Sequence, residues 1–363
     1  MFSLKDKNLA KNIIEKIKKE NVHLKFMHVC GTHQDTLVKN GLDSLLNTCG
    51  ISIGQGPGCP VCVTTQKEIE EMLVLAQDNK IVTSFGDMMK VPGENKSLRS
   101  IKSEGYDVRT VYGIEDSVEI AINNPDKEIV FMAVGFETTA PSTAATIIDN
   151  PPDNFSILCC HRTMPYALKA ILDMGEIKID GLIEPGHVST IIGTKPYEFI
   201  SKEYNIPQVV AGFEPIDVLM AAWMLVKQIK NDIPLVQNEY KRVVNPEGNI
   251  KAKKILNEVF EPCDIKWRGF PVINKSGLKL RKEFEKYDAR KKYSDVLSDI
   301  KKKDFPELKG CRCGELLRGL VSPYDCPLFS KKCTPDDPVG PCMVSVEGSC
   351  NIEYRYSSKN EKK

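Results

Sequence analysis

Two α/β/α domains built on parallel sheets, followed by a mainly helical or irregular cysteine-rich domain, are what this sequence predicts. Three observations lead there. From about residue 24 to residue 226, short β-rich runs alternate with segments of helical apolar spacing, the pattern of strand, crossover helix and parallel strand. Several runs end in a compact turn holding glycine or a polar cap, at the strand ends where open α/β sheets bind ligands. Six of the 13 cysteines then crowd into residues 311–363, behind a polar, lysine-rich stretch. A length of 363 residues suits two or three cores, and the expected domains are 1–125, 126–235 and 236–363.

Taken in order, residues 1–20 alternate charged and apolar side chains at helical spacing and read as an amphipathic helix, with no signal peptide. Strands are expected at 24–29, 80–85, 107–112, 128–134, 155–160, 181–185 and 207–212. Helices are expected at 66–77, 117–123 and 165–174. The apolar run at 218–226 is too short to cross a bilayer. Residues 234–304 read as a solvated helical connector with a helix over 278–293, and the tail 357–363 as disordered. GFE occurs at both Gly135 and Gly212 after apolar strands, a hint of a duplicated unit.

The formal net charge of +1 gives no electrostatic reason to expect nucleic acid or an anionic membrane as partner. A cytoplasmic location follows from the missing leader, and in reducing surroundings paired thiols are more often metal ligands or redox groups than structural disulfides. Among the last six cysteines (Cys311, Cys313, Cys326, Cys333, Cys342, Cys350) there is no pair of C-x2-C knuckles, the usual zinc signature. Long, irregular spacings flanked by glycine and proline favour an iron–sulfur cluster held by loops, without naming its four ligands.

Two further motifs lie near the N-terminus. Cys30, in CGTHQ, follows a strand and opens a helix, where amides and dipole would lower a thiol pKa and His33 could support the charge. In GQGPGCPVC, Cys59 and Cys62 form a C-x2-C at a helix entrance, the geometry of a redox pair whose first thiol is acidic and exposed. The glycines before it would let backbone approach a ligand, and the prolines would hold the turn rigid. No Walker motif and no complete dinucleotide fingerprint accompanies them.

With CGTHQ, GPGCPVC, GDMMKVPG, GFETTAP, PGHVS and the terminal cysteines in this order, nearly the whole chain resembles the HypD family of hydrogenase maturation proteins. The resemblance implies two α/β domains around a cleft and a third domain carrying a [4Fe-4S] cluster. It also implies assembly of an Fe(CN)2CO unit with the small partner HypC, cyanide coming from HypE. The family pattern C-x14-C-x6-C-x16-C falls on Cys311, Cys326, Cys333 and Cys350, leaving Cys313 and Cys342 as a candidate second redox pair. Cys30 takes the place of the iron-binding cysteine, with Cys59 and Cys62 as the redox dithiol. His33, Asp87, Glu137 and His187 would hydrogen-bond the diatomic ligands or move protons. The family motif reads CGTHE where this chain has Gln34, so a hydrogen-bonding role survives there and a proton-transfer role does not. The alternative function is a stand-alone iron–sulfur thiol-disulfide oxidoreductase, and a third is an iron–sulfur electron-transfer module with structural N-terminal cysteines.

Overall fold

The computed structural model describes residues 6–360, the side chains of 357–360 excepted. Eleven strands are formed among these residues: β1 (Leu24–His28), β2 (Ile51–Gln55), β3 (Ile81–Ser84), β4 (Val108–Thr110), β5 (Ile129–Gly135), β6 (Phe155–His161), β7 (Gly181–Pro185), β8 (Gln208–Ala211), β9 (Val236–Asn238), β10 (Phe260–Lys266) and β11 (Val272–Leu280). One wholly parallel sheet has the order β2-β1-β7-β8-β9, and a second has the order β4-β3-β5-β6. Every residue of β5, β6 and β7 is buried, as parallel strands covered on both faces require. All seven expected strands are present, and the helices Gln66–Gln77, Ile114–Asn123 and Met164–Met174 lie where the apolar spacing put them.

Sheet membership does not follow the expected boundary at 125/126. β1 pairs with β7 through Phe26 and Gly181, so the first sheet is drawn from both ends of the α/β region and the second is inserted within it. The reason is hydrophobic. Ile13, Ile14 and Ile17 of the amphipathic helix Lys7–Lys19 share one buried cluster with Phe26, Ile183, Val209 and the helix Pro215–Lys230. The first helix therefore finds its cover in a helix about 200 residues later.

The lysine-rich connector is not a solvated helix. β10 and β11 form an antiparallel hairpin with a bulge between Cys263 and Ile265. The expected 278–293 helix is divided into the end of β11, a 3-10 turn at Lys282–Tyr287 and a short helix Ala289–Lys292. Buried anchors override the helical spacing. The Tyr287 hydroxyl donates to Asn150 and Pro151, Arg290 donates to Glu71 and to the Cys159 carbonyl, and the buried Trp267 indole donates to Ser276. The last helix runs Ser349–Asn360, into the tail that was expected without structure. Residues 361–363 lie outside those described.

Candidate functional site

β1 delivers Cys30 to the carboxyl edge of the first sheet, where it is the extended N-cap residue of the helix Gly31–Lys39. The glycine loop after β2 lies directly against it. Gly56 N–H donates to the His28 carbonyl at 2.8 Å, and Gly31 N–H donates to the Gly58 carbonyl at 3.3 Å. A Cβ on Gly58 would overlap the Cys30 backbone nitrogen, so only glycine fits this approach. Burial outweighs the helix dipole and pushes the Cys30 thiol up to about 11, the reverse of the lowering expected at a helix N-terminus.

Cys59 and Cys62 are joined in a disulfide, and both are fully buried rather than exposed. The pair rides on a single helical turn, Pro60–Val63, in which Cys62 N–H donates to Cys59 Sγ at 3.1 Å. A separate helix, Gln66–Gln77, then begins with a capping box between Thr65 and Glu68. Cys62 Sγ lies 4.0 Å from the Pro341 carbonyl oxygen, at the start of the helix Pro341–Val344 that carries Cys342. One loop thus touches Cys30 on one side and, on the other, the helix that carries Cys342.

The polar groups divide. His33 Nε2 faces the carbonyls of Gly212 at 2.9 Å and Ala211 at 3.3 Å, so it carries the proton. Burial lowers its pKa to about 3, which leaves it neutral and unable to support a thiolate by charge. Its Nδ1 has no partner among the described residues. Glu137 is buried, accepts from Met164 N–H at 2.9 Å through Oε1, and has no partner for Oε2 among the described residues. Loss of solvent lifts its pKa to about 7. Asp87 accepts from Ser345, and burial raises its pKa, while the exposed His187 stacks on Phe213 at 3.8 Å.

Four participants were missed by sequence reasoning. Glu184, on β7, is wholly buried with neither oxygen partnered among the described residues, and burial lifts its pKa to about 8. The buried Tyr197 phenol feels the charges of Glu184, Glu137 and Cys30 together, which sets these groups around one interior region. His28 accepts the Cys30 N–H at Nδ1 and bonds Gln34 Oε1 through Nε2 at 2.7 Å. Glu347, from the cysteine-rich segment, accepts from Thr32 and bears electrostatically on Cys30. A carboxylate and a histidine inside otherwise apolar strands were the available signals for Glu184 and His28.

Behind the disulfide the six terminal cysteines gather without separating into a set of four and a pair. Cys311 donates to Cys313 Sγ at 3.2 Å. Hydrogen bonds from Cys311, Cys342 and Cys350 hold the Cys313 thiol below its ordinary value, and the same bonds push those three up. Val339 N–H donates to Cys333 Sγ at 3.3 Å. A Cβ on Gly340 would sit 2.6 Å from Cys313 Sγ and 2.7 Å from Cys311 Sγ, so glycine opens the cradle around the sulfurs. Among the described residues no three His, Cys, Asp or Glu side chains form a site for a single metal ion. Convergent thiols, a glycine cradle and an amide on sulfur fit a larger multi-thiolate group.

A cavity of about 550 Å³ lies elsewhere, at the amino edge of the first sheet beside Asp180, Pro207 and Pro234, and touches no cysteine. Among the described residues no helix is long and apolar enough to cross a membrane.

Comparison with known proteins places the chain in a family. The family profile described as "HypD: Hydrogenase formation hypA family" matches residues 6–357. The chain is 49% identical to a putative hydrogenase expression/formation protein of Methanocaldococcus jannaschii, over 98% of this chain and 99% of the relative. It is 41% identical to the hydrogenase maturation factor HypD of Cupriavidus necator, over 97% and 95%. It is also 43% identical to the factor of that name from Rhizobium leguminosarum bv. viciae, over 93% and 89%. On the strength of a match that spans both sheets, the glycine loop and the cysteine module, the chain belongs to the HypD family.

Proposed function

We propose that this chain acts in hydrogenase maturation as a redox-active scaffold. Together with a small HypC-type partner it holds iron and gathers the ligands of an Fe(CN)2CO unit, accepting cyanide from HypE. The observation that supports this reading best is the single loop that packs Gly58 on the Cys30 backbone and Cys62 against Pro341. It links the backbone of Cys30, through the disulfide, to the helix that carries Cys342.

Iron is cargo here, held by the Cys30 thiolate and a thiolate of the partner, soft ligands suited to low-spin iron with cyanide and CO. Because the buried Cys30 keeps its proton up to about pH 11, metal binding must expel that proton. Neutral His33, through its unpartnered Nδ1, and Glu137, through Oε2, are placed to accept or hold a proton without adding fixed charge. Cys311, Cys326, Cys333 and Cys350 would hold the [4Fe-4S] cluster, which when bound supplies electrons singly.

The chain's own thiols exchange electrons in pairs. In this reading the Cys313 thiolate attacks the Cys59–Cys62 disulfide, and Cys342 resolves the mixed disulfide. The Cys313–Cys342 bond forms, the Cys59–Cys62 bond breaks, and the proton leaving Cys342 passes to one of the released sulfurs.

Infrared spectroscopy in the CN and CO stretching region tests the scaffold, on anaerobic protein with its small partner, wild type beside Cys30→Ala. Bands in wild type alone, with the cluster's visible absorbance retained in both, are expected. Bands missing from both, with partner bound and cluster intact, would transfer the assignment to a stand-alone thiol-disulfide oxidoreductase.

A further inference from the structure

The helix Gln66–Gln77 begins three residues after the disulfide turn, and its N-terminus borders a cavity of about 200 Å³ that the thiol chemistry leaves unused. Lys67, Lys266, Arg268 and Lys303 line it together with two carboxylates, Asp304 and Glu307. Cations outnumber carboxylates there, and the first N–H groups of the helix have no acceptor within the helix. Glu68, the acidic residue of the first turn, is turned away, bonded to Thr65 and paired with buried Arg162 at 2.7 Å.

Arg268 is the independent observation. Only 2% of it is exposed, yet its guanidinium is mostly unspent. Nε donates to the Thr64 carbonyl at 3.0 Å, Nη2 has no acceptor among the described residues, and Nη1 meets only Glu307 Oε2, at 3.9 Å. The other oxygen of Glu307 accepts the Gly269 N–H at 3.0 Å. A guanidinium and a backbone amide therefore face one half-exposed carboxylate, in a cavity that a helix N-terminus also borders, and that carboxylate stands where an external anion would.

We propose that this cavity binds a small tetrahedral oxyanion of the phosphate class, which displaces the Glu307 carboxylate from Arg268 and Gly269. The volume admits a phosphate with a few waters and excludes a whole nucleoside, which needs a pocket of roughly 300 Å³ or more. The ligand is therefore free phosphate or the terminal phosphoryl group of a larger molecule that stays outside. Arg268 also donates its backbone N–H to the Val63 carbonyl at 2.9 Å. The residue that grips the anion thus holds the last residue of the disulfide turn.

Calorimetric titration of the full chain with inorganic phosphate tests the site, comparing wild type with Glu307→Gln and with a Lys67→Gln/Lys266→Gln double variant. Saturable one-to-one binding is expected. Removing the rival carboxylate should tighten it several-fold, and removing two cations should weaken it about tenfold, the scale of one charge-assisted hydrogen bond. Both changes lie at partly exposed or exposed positions, and circular dichroism checks that each variant folds. No saturable binding to wild type or to Glu307→Gln overturns the proposal, and equal affinity in all three means an adventitious ion only. Displacement of bound phosphate by a nucleoside diphosphate identifies a phosphoryl end as the ligand, and failure to displace it identifies free phosphate; the site stands in either case.

Discussion

Gln34 donates through Nε2 to the Glu353 carboxylate at 3.2 Å while its Oε1 bonds His28 Nε2 at 2.7 Å. The amide thereby ties the strand residue behind Cys30 to the last helix, and it does so in one orientation only. The His28 ring accepts at Nδ1 from Cys30 N–H and must carry its proton on Nε2. Here the carboxylate of this small network stands on Glu353, where the Tyr324 hydroxyl also reaches it at 3.0 Å.

Gln34→Glu should accordingly be costly in this chain. It turns a donor into a second carboxylate facing Glu353, and burial, which lowers the His28 pKa to about 4, denies a compensating imidazolium. A loss of about 1–2 kcal/mol at neutral pH is expected from urea unfolding. Adding Glu353→Gln should restore most of it. Full stability of the single variant would refute this account of the network.

Two glycines four residues apart, Gly54 within β2 and Gly58 in the loop after it, should respond very differently to alanine. A Cβ on Gly58 has nowhere to go but into the Cys30 backbone, and overpacking of this kind costs roughly 1–3 kcal/mol. At Gly54 the nearest atom to an added Cβ is the Phe26 carbonyl oxygen at 3.9 Å, an ordinary contact. Thermal unfolding of Gly58→Ala and Gly54→Ala, side by side, should show a clear drop for the first alone.

Glu184 makes the stability of the protein depend on pH in a stated direction. Its carboxyl holds its proton to about pH 8 when folded and to about 4.5 otherwise, so its contribution is complete below pH 4.5 and is lost as pH rises through 8. Glu184→Gln, neutral throughout, should gain on wild type by on the order of 3 kcal/mol between pH 5 and pH 8. Unfolding curves that keep a constant spacing at the two pH values would mean that the buried carboxyl has found a counter-charge.

The two classes of terminal cysteine should separate by spectroscopy. On the proposed ligand set, Cys333→Ser is expected to abolish the visible absorbance of an iron–sulfur cluster. Cys313→Ser should retain that absorbance but leave the Cys59–Cys62 disulfide unreduced when electrons are supplied to the cluster, as counted by thiol labelling after denaturation. Loss of absorbance in Cys313→Ser would move that residue into the ligand set.

The parallel strands were legible because a strand covered on both faces writes itself as an unbroken apolar run, as in 128–134 and 155–160. β2 escaped because its burial is partial and its sequence, ISIGQ, carries a glycine, and β9 because it has three residues. The β10–β11 hairpin was hidden by lysines on its exposed face, while the hold of the connector on the second sheet and its neighbours rests on Tyr287 and Arg290, whose partners are distant in sequence. The cysteine motifs stood out because close approach demands glycine beside them. The thiol protonation states did not, since they are set by burial against residues that the motif does not contain.

The pairing of β1 with β7 also sets a timetable. On a ribosome adding 5–20 residues per second, β1 and β2 leave the exit tunnel on the order of ten seconds before the strand that completes their sheet. During that interval the second sheet can close on itself, whereas the first exposes an unpaired edge beside Cys30. The nascent chain, with the Cys30 thiol uncovered, is therefore the form of this protein most open to oxidation and to stray metal ions.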